Sequence, residues 1–380
     1  MKKLLMLPGP TNVPQRVMEA LSRQIINHRG PEFHRFYDQL IEKTKKLFAT
    51  DGDVVILSSS GTGGVEAAVQ NLIRPGDRAV VPVFGEFSAR LADLLEGIGG
   101  KPIRVPAPYG DAPSIEQIED AFKRNKGVKA LLIVYNETST GVAFRPVKQA
   151  GEIAASNGAF FVVDAISNFA GDELPVDRFG VDICVTGSQK CLAAPPGLAL
   201  LSISKNVRRY IEENPCSTLY FNIARYLRYL DRKEAPFTPS LPLFYALDEA
   251  VNMIFEEGLA NRIRRHMLCS EAFYSAFETM GLRLFAKKSV RSTTVLAVEH
   301  PQKVDGLQFR QTLDEKFGIS IAGGFGELSD KLFRVGCMGI VNREHVLATL
   351  SAISSTLNML GFQNSKEAAL DIAEKMLQAL

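Results

Sequence analysis

Short apolar runs alternate, through the first half of the chain, with longer segments whose apolar positions recur at helical spacing. The runs are rich in Val and Ile and have few polar positions, which is typical of strands covered on both faces. Seven strands are predicted, at 54–59, 79–84, 102–107, 130–135, 160–165, 182–187 and 198–203. Helices are predicted between them at 63–72, 86–98, 114–123 and 146–156. This alternation predicts an α/β fold with a mainly parallel, doubly wound seven-stranded sheet.

The rest of the pattern predicts a smaller α+β domain at the C-terminus. A long helical segment begins near Leu243 and is expected to connect the two domains. Strands are predicted at 284–289, 293–300 and 331–336, followed by a helix at 342–360. The predicted division of the chain is an N-terminal arm (1–15), a large domain (16–255) and a small domain (256–380).

One further amphipathic helix is predicted beyond residue 362. Its apolar positions on one side are Ala369, Ile372, Met376 and Leu377. A stripe of this kind favours a helix that docks on the surface of its own chain, with a partner-binding helix as the alternative.

Composition and charge narrow the classes of function. With 380 residues the chain exceeds the size at which a single core usually stops growing, which favours two domains. The net charge of +2 and the lack of a long apolar segment indicate a protein that binds neither nucleic acid nor membrane. The five cysteines show no CxxC spacing, which indicates a reducing, cytoplasmic compartment, and no metal site is expected.

A glycine-rich turn, SSSGTGG, follows the first predicted strand and leads into a helix. Backbone N–H groups and the positive end of the helix dipole at such a turn can bind a phosphate, to which the Ser60 and Thr62 hydroxyls would add donors. The turn is not a Walker loop, because no Lys follows the glycines. An ordinary helix cap is the alternative.

Two charged residues follow buried strands further along the chain. Asp164 ends the run FFVVD, and a buried carboxylate there needs a cation or several donors, unless it only caps the next helix. Lys190 follows the run DICVTG between apolar flanks, and a desolvated lysine becomes a nucleophilic amine that forms Schiff bases with aldehydes. A surface lysine is the alternative. Taken together, the turn, Asp164 and Lys190 match the phosphate, ring nitrogen and aldehyde of pyridoxal 5′-phosphate.

Six motifs carry a resemblance to a known family: GSQKCLAAPPG around Lys190, SSSGTGGVEAA, YNETSTG, VVDAISNFAG, PFTPSLPLFYALDEA and LFRVGCMG. The chain resembles the class V aminotransferases, which are pyridoxal-phosphate enzymes of fold type I, and within them the alanine–glyoxylate and serine–pyruvate aminotransferases. The resemblance runs from the N-terminal LPGPTNVP to about residue 362. It implies that Lys190 holds the cofactor and that Asp164 pairs with its ring nitrogen. The residues implied to bind the phosphate are Ser60, Gly61, Thr62 and Gln189.

The resemblance implies roles for five further residues. Phe87 stacks on the cofactor ring, and Thr138 lies near the phenolic oxygen. Arg334 binds the α-carboxylate of the substrate, and Gly9 lies close to that carboxylate. Thr238 reaches the phosphate of a neighbouring subunit, which implies a homodimer with shared active sites.

The implied activity is ping-pong transfer of an amino group from alanine or serine to glyoxylate or pyruvate, with Lys190 as general acid and base. Two positions depart from the pattern: Phe87 stands where several relatives have Trp, and Cys337 where many have His. A cysteine desulfurase or other lyase of the same fold, a non-catalytic subunit, and a phosphate-binding protein without the cofactor are the alternatives.

Overall fold

The computed structural model describes residues 3–380, which fold into a large sheet with helices on both faces and a smaller C-terminal region. The strands are β1 Leu4–Leu5, β2 Asp53–Leu57, β3 Arg78–Val83, β4 Lys101–Pro106, β5 Val128–Val134, β6 Asn136–Glu137, β7 Val142–Ala143, β8 Phe160–Asp164, β9 Ile183–Gly187, β10 Ala199–Ile203, β11 Val295–Glu299, β12 Ile319–Ser320, β13 Ala322–Gly323 and β14 Leu332–Gly336. The helices are α1 Gln15–Ala20, α2 Pro31–Phe48, α3 Gly61–Leu72, α4 Glu86–Gly97, α5 Ile115–Arg124, α6 Val147–Ser156, α7 Lys205–Glu213, α8 Ile223–Leu230, α9 Leu241–Glu257, α10 Leu259–Thr279, α11 Gly306–Phe317, α12 Arg343–Met359 and α13 Lys366–Leu377, with 3-10 turns at Lys288–Val290 and Gly326–Leu328.

The seven predicted strands form one sheet in the order β2-β10-β9-β8-β5-β3-β4. Strand β10 runs antiparallel to β2 and β9, and every other neighbouring pair is parallel. The prediction of a mainly parallel sheet is therefore confirmed. Because β2, β3, β5, β8 and β9 share one direction, their carboxyl ends meet at the same edge, where ligands bind in such sheets.

The long helical pattern after Leu243 is not one helix. It divides into α9 and α10 at Gly258, whose φ of +83° is a backbone conformation that L residues rarely adopt. The apolar periodicity continues across this break, which is why the pattern alone predicts a single helix.

The C-terminal region contains a three-stranded antiparallel sheet in the order β11-β14-β13. The strands predicted at 293–300 and 331–336 are confirmed as β11 and β14. The prediction of a strand at 284–289 is wrong. Leu284 makes one isolated bridge to Val298, and the chain then turns away, with the Lys287 amide donating to the Gly110 carbonyl. The division into residues 1–15, 16–255 and 256–380 stays a prediction.

The last helix, α13, packs against α10 and α12. It buries Ala369, Ala373 and Leu377 and forms an ion pair between Glu374 and Arg343 of α12. The docked helix is therefore confirmed, although Ala373 is more deeply buried than the predicted Ile372. Among residues 3–380, no helix combines the length and the apolar character needed to cross a bilayer.

The N-terminal arm crosses the C-terminal region before it reaches the large sheet. Strand β1 pairs in parallel with β12, and the Gly336 amide donates to the Met6 carbonyl at 2.8 Å. The arm then passes the carboxyl edge of the large sheet, where the Pro8 carbonyl accepts a hydrogen bond from Lys190.

Candidate active site

A cavity of about 450 Å³ lies at the carboxyl edge of the large sheet. Eight residues predicted for the site line it: Ser60, Gly61, Thr62, Phe87, Thr138, Asp164, Gln189 and Lys190. They lie at or just after the carboxyl ends of β2, β3, β5, β8 and β9, so the strand directions bring together residues that are far apart in the sequence. Gly9, Arg334 and Thr238 are not among the residues that line the cavity.

The glycine-rich turn forms the N-terminus of α3 at one end of the cavity. Ser60 is the N-cap, and its Oγ accepts a hydrogen bond from the Gly63 amide at 3.2 Å. A Cβ on Gly61 would lie 2.7 Å from the Ile166 side chain, so any other residue here would force Ile166, in the loop after β8, to move. The positive end of α3 therefore faces the cavity together with the Thr62 side chain, which suits a phosphate.

Asp164 ends β8 with its carboxylate towards the cavity. Burial raises its pKa to about 6, and the hydrogen bond that Oδ1 accepts from the Ile166 amide at 2.9 Å opposes this rise only in part. A buried carboxylate of this kind is stabilised by a cation or an N–H donor brought to it. A protonated ring nitrogen meets that need.

Lys190 follows β9 and points into the same cavity. Burial lowers the pKa of its amine to about 8, and Nζ donates to the Pro8 carbonyl. Gly9 has a φ of +103°, and a Cβ there would lie 2.5 Å from Nζ, so a side chain at this position would displace the amine. The structure thus places Gly9 directly beside Lys190.

The turn that carries Lys190 is held from both sides. The Thr11 amide donates to the Gln189 carbonyl at 3.1 Å, and the Thr11 hydroxyl donates to the Lys190 carbonyl at 3.3 Å. On the other side, Arg262 of α10 donates to the Cys191 carbonyl at 2.5 Å. The position of the amine therefore depends on the N-terminal arm and on α10 as well as on β9.

Two polar atoms show that the cavity is built for a polar ligand. Gln189 Oε1 and Asn136 Oδ1 are buried without a hydrogen-bond partner among the described residues, although both side chains line the cavity. Buried polar atoms are normally paired, so a ligand with hydrogen-bonding groups is expected here. These two oxygens accept hydrogen bonds and so require donors, while the α3 N-terminus, Asp164 and Lys190 are the groups that fit the phosphate, ring nitrogen and aldehyde of pyridoxal 5′-phosphate.

Asn136 was not among the predicted site residues. It follows strand β5 at the sheet edge, and its Nδ2 donates to the Ser167 hydroxyl at 2.8 Å. The signal that singles out Asp164, a polar residue directly after a buried strand, is also present at Asn136.

Arg334 lies in the centre of β14, between β11 and β13. Its Nε donates to the Gly323 carbonyl at 2.7 Å and its Nη1 to the Thr138 carbonyl at 2.8 Å. Burial lowers the pKa of this guanidinium to about 10, while the charge of Glu137 opposes the decrease. Two of the five N–H donors are used by carbonyls, so the rest can bind a carboxylate.

A second aromatic side chain joins Phe87 at this part of the site. The Phe325 ring meets the Phe87 ring edge to face, with centroids 5.7 Å apart, and covers the Arg334 guanidinium at 4.4 Å. Sequence reasoning did not find Phe325, because it lies in an irregular loop after a two-residue strand and carries no periodic signal.

Thr238 is exposed and lies outside the cavity of its own chain, with Oγ1 3.5 Å from His28 Nε2. The Thr238 hydroxyl therefore does not line the cofactor cavity of its own chain. Its contact with a neighbouring subunit stays a prediction.

The large mixed sheet, the C-terminal region and the cavity with Lys190 and Asp164 define a pyridoxal-phosphate-dependent enzyme of fold type I. The chain belongs to the class V aminotransferases, since the model of the family "Aminotransferase class-V" matches residues 4–330. The aminotransferase activity and the dependence on pyridoxal 5′-phosphate follow from this membership.

Relatives cover nearly the whole chain. An uncharacterized aminotransferase from Methanocaldococcus jannaschii is 39% identical over 99% of this chain and 98% of its own. A serine–glyoxylate aminotransferase from Methylorubrum extorquens is 33% identical over 93% of this chain and 90% of its own. The crystal structure of ureidoglycine–glyoxylate aminotransferase from Bacillus subtilis has a TM-score of 0.94 and 30% identity, covering 100% of this chain and 98% of that one.

Proposed function

We propose that this aminotransferase moves the amino group of a small amino acid, alanine or serine, to glyoxylate or pyruvate. The observation that carries the proposal is Arg334, a buried guanidinium that contacts two backbone carbonyls and keeps donors for an α-carboxylate. Amino acids and 2-oxo acids both have this carboxylate, so one arginine serves both halves of the reaction. The serine–glyoxylate and ureidoglycine–glyoxylate relatives support glyoxylate as the acceptor.

The residues of the cavity divide the chemical work. When bound, pyridoxal 5′-phosphate supplies an aldehyde for the amino group and a ring that withdraws electrons from the substrate Cα. Ser60, Thr62 and Gln189 hold the phosphate. Asp164 holds a proton at the ring nitrogen. Lys190 removes the proton from Cα, and a pKa near working pH suits an amine that must also return a proton.

The geometry disfavours a desulfurase, which needs a reactive thiol. Cys337 is fully buried, its Sγ lies 3.7 Å from the His266 carbonyl, and burial raises its pKa well above the ordinary value. Cys191, next to Lys190, is also buried, and burial raises its pKa to about 12. A non-catalytic subunit is disfavoured by the complete set of Lys190, Asp164 and Arg334.

We further propose a homodimer with shared active sites in a reducing, cytoplasmic compartment. The exposed Thr238 is available to a second chain, as the family resemblance implies. The free state of all five cysteines is consistent with a reducing compartment. Analytical ultracentrifugation of the purified protein tests the dimer: a monomer at micromolar concentration would contradict it.

The activity is tested by incubating the purified enzyme, loaded with pyridoxal 5′-phosphate, with glyoxylate and a panel of amino acids. Alanine or serine is expected to give glycine and the matching 2-oxo acid, while cysteine gives no sulfide. Sulfide release without glycine formation would identify a lyase instead.

A further inference from the structure

Glu137 is a fully buried carboxylate behind the wall of the cavity. The proposed transfer reaction assigns it no role. Its Oε1 accepts hydrogen bonds from the Phe87 amide at 3.2 Å and from the Ser139 amide and hydroxyl at 3.1 and 2.6 Å. Its Oε2 accepts from the Ser88 amide and hydroxyl, both at 2.9 Å. So many donors to one buried carboxylate fix its position.

Through these bonds, Glu137 caps helix α4 from another part of the chain. The amides of Phe87 and Ser88 belong to the first turn of α4, where N–H groups have no partner within the helix and a negative charge is favourable. Gly85 gives the carboxylate its room, because a Cβ there would lie 2.5 Å from Glu137 Cδ. Glu137 therefore fixes the start of the helix that places the Phe87 ring in the cavity.

The backbone next to Glu137 leads directly to Arg334. The following residue, Thr138, accepts a hydrogen bond from Arg334 Nη1 through its carbonyl at 2.8 Å. Because the side chain of Glu137 is held by five donors, the carbonyl one residue later is held as well. The hydrogen bond from Nη1 thereby connects the Arg334 guanidinium to the backbone next to Glu137.

A second series of contacts leads from α4 to the same guanidinium. Glu86, the first residue of α4, lies against Gly326, where a Cβ would be 2.6 Å from Glu86 Oε1. The neighbouring Phe325 covers the Arg334 guanidinium at 4.4 Å and touches the Phe87 ring. The start of α4 and the loop over Arg334 are therefore in contact.

We propose that Glu137 is a positioning residue that couples the aromatic wall of the cavity to the arginine that binds the substrate carboxylate. It acts through Phe87 and Arg334 and touches neither cofactor nor substrate. The inference rests on the proposed function only in that Arg334 binds the α-carboxylate. The amino acid and the 2-oxo acid both carry this α-carboxylate. A substitution that disturbs Glu137 is therefore expected to change the binding of both substrates together.

The test uses two variants of the loaded enzyme that disturb the same carboxylate. Glu137→Gln places an NH2 group against N–H donors, and Gly85→Ala pushes on the carboxylate without removing its charge. We expect KM for the amino acid and for glyoxylate to rise about tenfold each, the size of effect typical of a lost charged hydrogen bond, with a smaller change in kcat. The dissociation constant of propionate, a carboxylate that cannot react, should rise by the same factor when measured by its effect on the cofactor absorbance.

The control is Ser114→Ala, which removes the cap of α5, a helix whose residues do not line the cavity. Like the two variants, Ser114→Ala weakens the capping of a helix, but one that does not line the cavity. It should therefore leave KM and propionate binding within about twofold of wild type. The proposal is overturned if Gly85→Ala leaves propionate binding and both KM values unchanged, or if Ser114→Ala has the same effect. If the wild-type enzyme binds propionate but forms no glycine, the proposed function is wrong. In that case propionate binding by the two variants still tests the role of Glu137.

Discussion

Lys190 is the residue on which the proposed proton transfer depends, because burial brings its pKa to about 8. We predict that Lys190→Ala lowers kcat by at least about 100-fold, the usual minimum for loss of a general acid or base, and that the cofactor is no longer held covalently. Steady-state kinetics and the visible spectrum check both effects. The exposed Lys123→Ala is the control and should behave as wild type, whereas wild-type turnover in Lys190→Ala would disprove the assignment.

Asp164 is predicted to reduce the stability of the cofactor-free protein at neutral pH. Burial raises its pKa from 3.8 to about 6, so the native state holds the proton more tightly than the unfolded chain does. The free energy of unfolding therefore falls as the pH rises from about 4 to about 6, by up to about 3 kcal/mol.

Asp164→Asn removes this loss, because the amide stays neutral and can still accept from the Ile166 amide. We predict a cofactor-free variant that resists urea better than wild type at about pH 7.5, with a smaller difference near pH 4.5. Turnover of the loaded variant should fall strongly. A variant less stable than wild type at both pH values would contradict this account.

Residue types after buried strands predicted much of the lining of the cavity, while the roles of these residues stay predictions. Asp164 and Lys190 stood out because each is charged and follows an apolar run. Asn136 obeys the same rule but is uncharged, so the pattern does not single it out from ordinary polar residues. Phe325 could not be predicted from its neighbours in sequence, because its contacts with Phe87 and Arg334 exist only once β3, β13 and β14 are assembled.

At the scale of elements, the joint between α9 and α10 depends on the conformation of Gly258. We predict that Gly258→Ala lowers the free energy of unfolding by about 1–2 kcal/mol, because a Cβ is unfavourable at a positive φ. Denaturant unfolding measures the effect. Gly97→Ala is the matched control, since a Cβ there meets open space and φ is not positive, and it should be neutral or slightly stabilising. Equal losses in both variants would show that the joint carries no special strain.

Periodicity predicted the positions of the seven strands but not the direction of β10. Each of β5, β9 and β10 is covered on both faces, so a parallel and an antiparallel strand have the same apolar pattern. The connection from β9 past Lys190 to β10, residues 188–198, contains no helix and is shorter than the crossover of about a dozen or more residues that a parallel pair needs, which hydrophobicity does not show. The break at Gly258 was hidden for a similar reason, because both helices keep their apolar stripes up to it.

At the scale of the molecule, α13 completes the core of the C-terminal region. Leu377 is 2% exposed and belongs to the same cluster as Phe273 of α10 and Leu357 of α12. We predict that Leu377→Ala lowers the free energy of unfolding by about 2–4 kcal/mol, measured by thermal or denaturant unfolding. Leu380→Ala, at a side chain 50% exposed, should change it little. Equal stability of the two variants would mean that α13 adds little to the fold.

The N-terminal arm has a consequence for the order in which a ribosome can produce a working enzyme. The Pro8 carbonyl that receives the Lys190 amine is synthesised before Lys190, yet the arm is also held by Ile319 and Gly336, which are synthesised after it. The large sheet can form while the chain is still growing, since domains commonly fold during synthesis. Until the C-terminal region has formed, the bonds of Thr11 to the Gln189 and Lys190 carbonyls hold the arm beside the amine, so a chain truncated before β12 would lack the contacts with β12 and Gly336 that also place Pro8.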